Sequence, residues 1–213
     1  DAGLVGDDVV INVTIPANAT GYVIVSVDGT NYTVNTTNGN GSVSIKGLGN
    51  TTHTVHVTYI GDDQYLPSEN STTFGIPKDN TTIAIAVESI DYGQKANITV
   101  TVKDDATGYI TIKINDTHEI TLPVVNGTVN WIVEDLAAGN YTVYANYSGD
   151  DKYNGNKTNK TFEVRQISPE IKIISVISTA GENATIIVEI DPRVSGNITV
   201  TVDKDYSVKP VNG

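Results

Sequence analysis

Two pairs of neighbouring carboxylates are the residues of this sequence best placed to bind a metal ion. Asp62-Asp63 and Asp150-Asp151 each lie in a stretch Tyr-x-Gly-Asp-Asp-x-Tyr, and the two stretches are 88 residues apart. Carboxylate oxygens suit calcium, but the ion takes about six to eight oxygens, and two adjacent aspartates supply few of them. In the alternative, Gly and Asp build a structural turn while both tyrosines pack against the core. The low number of ligands favours the turn over a calcium site.

The remaining residues with chemical potential form no recognisable catalytic or metal site. His53 and His56 are three residues apart on a predicted strand, so they point to opposite faces and cannot share a metal ion. His118 belongs to a predicted turn, and no Ser or Thr has a His base in a known motif. Cysteine is absent, which excludes disulfides and thiolate chemistry. We therefore predict no enzyme and no cofactor.

Asn-x-Ser/Thr sequons are the strongest functional signal. They begin at 17 of the 21 Asn residues, whereas chance placement of Ser and Thr would give about four. The 17 asparagines are Asn12, Asn18, Asn31, Asn35, Asn40, Asn50, Asn70, Asn80, Asn97, Asn115, Asn126, Asn140, Asn146, Asn156, Asn159, Asn183 and Asn197. Alternatively, Asn-x-Thr simply suits strand starts and turns. The excess favours an N-glycosylated exterior, in which sugars would shield edge strands.

An internal period of 87 to 88 residues organises the whole chain. Gly6, Gly93 and Gly181 precede similar segments at this spacing, and Gly21-Tyr22 and Gly108-Tyr109 follow the same period. The period is longer than a solenoid repeat and suits a small all-β domain. We predict three copies, at residues 1–77, 78–166 and 167–213, of which the first appears without its opening strand and the third has only its N-terminal half.

The middle copy is predicted to contain seven short strands and no helix, because its apolar residues alternate with period two. The strands cover residues 81–90, 96–102, 108–114, 119–125, 128–133, 141–147 and 160–165. Pro123 assigns the fourth strand to an edge, and the phase of Trp131 assigns it to the interior. Short strands joined by turns rich in Asn, Gly and Asp are typical of an immunoglobulin-like sandwich. The fold class is therefore all-β, with tandem immunoglobulin-like sandwiches, two near-complete and one partial.

The charge balance limits the classes of partner. The net charge is −12 and the pI is about 4.4, so neither nucleic acid nor an anionic membrane would attract the chain. No apolar run is long enough to insert into a membrane. The chain begins at Asp1 without an initiator Met or signal peptide, as expected for a mature or excised piece of a longer protein.

Several of these motifs resemble the bacterial-type Ig-like repeats of methanogen adhesin-like proteins. The resemblance rests on the Tyr-x-Gly-Asp-Asp-x-Tyr turn, on Gly139-Asn140-Tyr141-Thr142-Val143 and on Thr161-Phe162-Glu163-Val164. It extends over all three copies, although the first has His53 where the middle copy has Tyr141. The family consists of long archaeal surface proteins, so the resemblance implies an extracellular stalk or adhesin and identifies no ligand.

The preferred hypothesis is an extracellular stalk whose units contact neighbouring repeats of the same chain. In a second hypothesis, the loops bind a cell-surface polysaccharide or a partner cell. In a third, terminal strands pair between copies of the chain and build a filament.

Overall fold

The computed structural model describes residues 3–202 and the backbone of residues 204–208. Every regular element in these ranges is a β-strand, which confirms the predicted all-β class. Within the same ranges, no helix is present that could cross a membrane. Hydrogen bonds join these strands into six sheets, which form three groups that follow one another along the chain.

The first group contains six strands packed as two antiparallel sheets. They are β1 (Val9–Thr14), β2 (Tyr22–Val27), β3 (Thr30–Asn35), β4 (Asn40–Ile45), β5 (Thr52–Tyr59) and β6 (Ser68–Gly75). β1 pairs with β4, and the other strands follow the order β3-β2-β5-β6. Val23 and Val25 of β2 are fully buried in the core of this group. Among the described residues, no strand precedes β1.

The second group contains eight strands in two sheets that enclose one core. They are β7 (Ala84–Ala86), β8 (Ile90–Asp91), β9 (Ala96–Thr101), β10 (Tyr109–Ile114), β11 (His118–Pro123), β12 (Thr128–Val133), β13 (Gly139–Tyr147) and β14 (Asn156–Arg165). One sheet has the order β12-β9-β7, and the other has the order β11-β10-β13-β14-β8. Ile98 of the first sheet and Ile110, Ile112 and Ile114 of the second are completely buried in the same cluster. Trp131 is partly buried against it, on the predicted face.

The opening strand of the second group differs from the prediction. Residues 81–90 were expected to form one strand, but only β7 and β8 are strands, and they belong to different sheets. β7 pairs antiparallel with β9, and β8 pairs parallel with β14. The chain crosses between the sheets at Val87, which is buried. The alternation correctly assigned Ile83, Ile85 and Val87 to the core, but it carries no information about which sheet each residue joins.

Two other strands of the five-stranded sheet test further predictions. β11 is an edge strand ending at Pro123, as predicted from that proline. β14 begins at Asn156, four residues before the predicted start at Lys160. The added residues are polar, so they lack an apolar alternation, but their backbone continues the ladder with β13 up to Tyr147.

The third group consists of two hairpins with little burial. β15 (Ile171–Ile177) pairs with β16 (Thr185–Ile190), and β17 (Ile198–Val202) pairs with the backbone of β18 (Lys204–Val208). Ile173 is 69% exposed and Ile177 is 62% exposed. Two hairpins cannot enclose an apolar face by themselves. The chain is thus a tandem of immunoglobulin-like sandwiches, two near-complete and one partial, whose exact boundaries stay predictions.

The alternation of buried and exposed isoleucines predicts unequal effects of truncation in the second group. Ile112→Ala removes a fully buried side chain, so we expect it to lower the free energy of unfolding by about 2–5 kcal/mol. Ile132→Ala, at a position that is 58% exposed, should change it by less than about 0.5 kcal/mol. Urea unfolding monitored by Trp131 fluorescence measures both, and equal losses would contradict the assigned core.

Candidate functional site

The Tyr-x-Gly-Asp-Asp-x-Tyr stretch of the second group forms the turn between β13 and β14. Tyr147 ends β13 and is 1% exposed. Gly149 has a φ of +76°, and a Cβ at this position would lie 2.7 Å from the backbone nitrogen of Gly155. Only glycine fits such a crowded left-handed position without strain. The turn therefore directs the next residue, Asp150, back toward the body of the sandwich.

The Asp150 carboxylate ties this turn to a distant loop. Its Oδ1 accepts hydrogen bonds from the backbone nitrogens of Lys152 and Tyr153, at 2.8 and 2.7 Å. Its Oδ2 accepts from the backbone nitrogen of Thr107 at 2.6 Å, from the Thr107 hydroxyl at 3.1 Å and from the Tyr147 hydroxyl at 2.9 Å. Charge-assisted bonds of this kind are among the stronger ones in proteins. They fasten the β13–β14 turn to the loop before β10.

The first group repeats the arrangement at Asp62. Its Oδ1 accepts from the backbone nitrogens of Gln64 and Tyr65, both at 2.8 Å. Its Oδ2 accepts from the backbone nitrogen of Thr20 at 2.7 Å and from the Thr20 hydroxyl at 3.1 Å. Tyr59, which corresponds to Tyr147, donates instead to the carbonyl of Thr20. The same two chain segments are therefore joined in both groups.

The hydrogen bonds shift the acidity of both aspartates. Burial raises the pKa of Asp150, but the opposing effect of the backbone hydrogen bonds from Thr107, Tyr153 and Lys152 is larger. The net result is a pKa lowered to about 2. The backbone bond from Thr20 is the largest of several that hold the pKa of Asp62 well below its ordinary value. Both carboxylates are thus ionised at neutral pH.

The second tyrosine of the motif closes the same end of each sandwich. The Tyr153 hydroxyl donates to Asp105 Oδ1 at 2.6 Å, and Lys152 Nζ donates to Asp105 Oδ2 at 2.6 Å. In the first group, the Tyr65 hydroxyl donates to Asn18 Oδ1 at 2.7 Å. The tyrosine is retained, whereas its partner is a carboxylate in one group and an amide in the other.

The hydrogen-bond geometry of Asp62 and Asp150 favours the structural turn over the calcium site. Each carboxylate oxygen of Asp62 and Asp150 already accepts at least two hydrogen bonds, which a bound cation would displace. Asp63 and Asp151 are exposed. Within the described ranges, no group of three or more His, Asp or Glu residues could hold a metal ion. The arrangement can therefore fasten loops, and its oxygens are not arranged as a vacant cation site.

The His53 side chain is buried and makes two polar contacts that the sequence analysis missed. The side chain is 4% exposed; Nδ1 lies 2.6 Å from Asp28 Oδ2, and Nε2 lies 3.0 Å from the carbonyl oxygen of Gly49. Both neighbours are acceptors, so both ring nitrogens must donate, as only the imidazolium can. The Asp28 bond raises the pKa of His53, and the His53 bond lowers that of Asp28.

A comparison of the two groups could have revealed this contact. Asp28 corresponds to Asn115; both have positive φ and accept a hydrogen bond from the backbone nitrogen of the threonine after His53 or Tyr141. Tyr141 donates to the carbonyl of Ala137, much as His53 contacts that of Gly49. His56, on the opposite face, lies 3.3 Å from Glu69, so the two histidines are apart as predicted.

The sequon asparagines lie on the surface. Sixteen of the 17 are exposed, and Asn115 is half-buried. Asn12 and Asn97 are on strands and point away from the core, and exposed Asn197 directly precedes β17. Sequence reasoning missed Thr20 and Thr107 as partners of the aspartates, although both precede a Gly-Tyr pair that repeats with the common period.

The Asp150 contacts predict a large difference between two adjacent carboxylates. Asp150→Ala breaks five hydrogen bonds to a charged acceptor, so we expect the free energy of unfolding to fall by more than about 2 kcal/mol. Asp151→Ala changes an exposed neighbour and should alter it by less than about 0.5 kcal/mol. Because the pKa of Asp150 is lowered, its contribution should be present above about pH 4 and lost as the pH falls toward 2. Urea unfolding at several pH values measures this, and an unchanged Asp150→Ala stability would refute the tie.

The His53–Asp28 contact predicts a pH dependence confined to the first group. A raised pKa means that the contribution is complete below the unfolded value of about 6.5 and is lost as the pH rises through the folded value. The variant Asp28→Asn with His53→Tyr reproduces the residues of the second group and should lack this loss. Amide exchange of β5, measured by NMR at pH 6 and pH 9, tests the difference. Equal pH dependence in both proteins would show that the pair is not the cause.

The comparisons with known proteins agree with this description of the second group. Residues 83–165 match the family model of the bacterial Ig-like domain (group 3). No curated protein matches the chain.

Two solved structures are similar to this chain over much of its length, at low sequence identity. The fibronectin(III)-like modules of Clostridium thermocellum CbhA are 16% identical with a TM-score of 0.34, covering 78% of this chain and 90% of theirs. The BSP domain of a biofilm associated protein is 21% identical with a TM-score of 0.27, covering 78% of this chain and 28% of its own. The segment from Ile83 to Arg165, which contains β7 to β14, is thus similar to a bacterial Ig-like domain.

Proposed function

We propose that the chain is an extracellular stalk segment of a cell-surface adhesin-like protein, in which tandem Ig-like units supply reach and carry N-linked glycans. The observation that carries the proposal is the position of the sequons: 16 of the 17 asparagines are exposed on two ordered sandwiches and the partial third. Glycosylation requires such exposure and belongs to secreted or surface proteins. The match of residues 83–165 to a bacterial Ig-like domain is consistent with a structural module.

The link between the first two groups supports a stiff array. On one side, the backbone nitrogen of Val5 donates to the carbonyl of Pro77, and Asn50 Nδ2 donates to the carbonyl of Ile76, at 3.3 and 2.7 Å. On the other side, Asp79 exchanges backbone hydrogen bonds with Lys152 and Asn154. Lys78, which lies between these parts, is also held by the second group: its Nζ donates to the carbonyl of Asp150, and its carbonyl accepts from Asn154 Nδ2 at 3.4 Å. A segment so short and so well bonded is not a flexible tether.

The acidic surface fits the same role. A net charge of −12 keeps an extended chain soluble and makes neighbouring stalks repel each other. We further propose, from the resemblance described above, that the parent protein is an archaeal adhesin-like protein of the methanogen type.

Carbohydrate binding is the alternative function that a specific structural feature favours. A shallow hollow of about 520 Å³ on the outer face of the five-stranded sheet is lined by Tyr144, Lys113, Lys157 and two sequon asparagines. Tyr144 is 50% exposed, and an exposed aromatic ring among polar groups can stack on a sugar. The filament hypothesis remains a further alternative, in which unpaired strands of one copy would complete another.

Mapping of the native protein tests the stalk proposal. Intact cells are treated with a protease that cannot enter them, and the released peptides are analysed for glycans by mass spectrometry. We expect release of this chain with sugars on several of the 17 asparagines. Retention inside the cell with unmodified asparagines would overturn the proposal. Sedimentation of the purified chain separates the stalk, an elongated monomer, from the filament, which would polymerise with concentration.

A further inference from the structure

Seven of the 17 sequon asparagines form two contrasting classes, defined by the bonding of their side-chain amides and by their position in the fold. In four of them Nδ2 donates a hydrogen bond into the fold. Asn18 donates to Gln64 Oε1 at 3.1 Å, Asn40 to the carbonyl of Asn38 at 3.0 Å, Asn50 to that of Ile76 at 2.7 Å and Asn156 to that of Thr81 at 2.6 Å. Each lies in a loop or is the first residue of a strand. These four, the engaged class, therefore lie at the ends of the sandwiches.

A second class lies on the flat faces. Asn97 is on β9 of the three-stranded sheet, and Asn146 and Asn159 are on β13 and β14 of the five-stranded sheet. All three are exposed and point away from the core. Within the described part of the chain, their Nδ2 atoms have no hydrogen-bond partner. These three, the free class, present unengaged amides on both faces of the second group.

The chemistry of N-glycosylation distinguishes the two classes. Nδ2 attacks the anomeric carbon of an oligosaccharide that is activated as a phosphate ester of a polyprenol. The new C–N bond forms while the C–O bond to phosphate breaks, the lipid phosphate leaves with the electron pair, and Nδ2 gives one proton to a base of the transferase. The amide must rotate into the transferase site for this step. An Nδ2 that donates to a backbone carbonyl must first break that bond.

We propose that glycans occupy the free asparagines on the sandwich faces and that the engaged asparagines at the ends are modified much less. The inference rests on the proposed glycosylated exterior and specifies which residues bear the sugar. It requires transfer to the folded chain, because the hydrogen bonds exist only there. The result is an array with sugar on its faces and little sugar at these four positions near the ends of the units.

Two neighbouring sequons provide a matched pair for the test. Asn156-Lys157-Thr158 and Asn159-Lys160-Thr161 are the same tripeptide on the same strand. They differ in surroundings: Asn156 Nδ2 is bonded to the Thr81 carbonyl at the start of the second group, whereas Asn159 lies opposite exposed Tyr144 on the outer face. Tripeptide preference cannot separate them, so a difference in occupancy reports the fold.

The experiment measures site occupancy on the full native chain by glycopeptide mass spectrometry. We expect occupancy at Asn159 to exceed that at Asn156 by about five-fold or more, the factor that corresponds to one net hydrogen bond. Equal occupancy at the two sites, with glycans present elsewhere, would overturn the inference and leave the glycosylated stalk intact. A complete absence of glycans would overturn both.

Two controls exclude other origins of the difference. In the Asn159→Gln chain, occupancy at Asn156 should stay as low as in the native chain. If it rises to the level seen at Asn159 in the native chain, crowding by the neighbouring sugar is the cause and the inference is wrong. A linear peptide of residues 154–163, offered to membranes of the same cells, should be modified equally at both asparagines, because neither is bonded to Thr81. A peptide modified only at Asn159 would assign the difference to local sequence and overturn the inference.

Discussion

The structure depends on the carboxylate that follows the glycine of the β5–β6 and β13–β14 turns. With no cysteine in the chain, the ends of each sandwich must be closed by packing and hydrogen bonds. Asp150 accepts five such bonds and joins its turn to Thr107, which is 43 residues away. A single ionised carboxylate that accepts hydrogen bonds from several donors is thus enough to hold two distant chain segments together. Its partial burial is tolerated because every lone-pair direction is used.

The two groups show which parts of this closure are fixed by geometry. The left-handed Gly, the Asp and both tyrosines are retained, whereas the partner of the second tyrosine changes from Asn18 to Asp105. His53 with Asp28 and Tyr141 with Asn115 likewise fill equivalent positions. The fold requires at this position a side chain of suitable size that donates a hydrogen bond to a backbone carbonyl. Both histidine and tyrosine meet this requirement. The histidine version adds a charge that depends on pH, so two units of one architecture respond differently to their surroundings.

The strands of the second group could be predicted because burial alternates with period two. Ile110, Ile112 and Ile114 define β10 by themselves, and Gly149 marks a turn that only glycine allows. The split of the opening segment at Val87 could not be predicted, since alternation assigns a face without naming the neighbouring strand. The contacts of Asp150 with Thr107 and of His53 with Asp28 depend on tertiary pairing. Only comparison of the repeats, position by position, hints at them.

Closure within each unit explains how such an array can lengthen without weakening. The first and second groups each enclose a separate core, and no residue belongs to both clusters. The hydrogen bonds that hold residues 76–79 of the link involve backbone groups and the side chains of Asn50, Lys78 and Asn154. Stability is then close to a sum over units, as in other repeat architectures, and an added unit neither needs nor disturbs a distant one. The partial third group illustrates the converse: among its described residues, Ile173 and Ile177 stay exposed because no facing sheet covers them there.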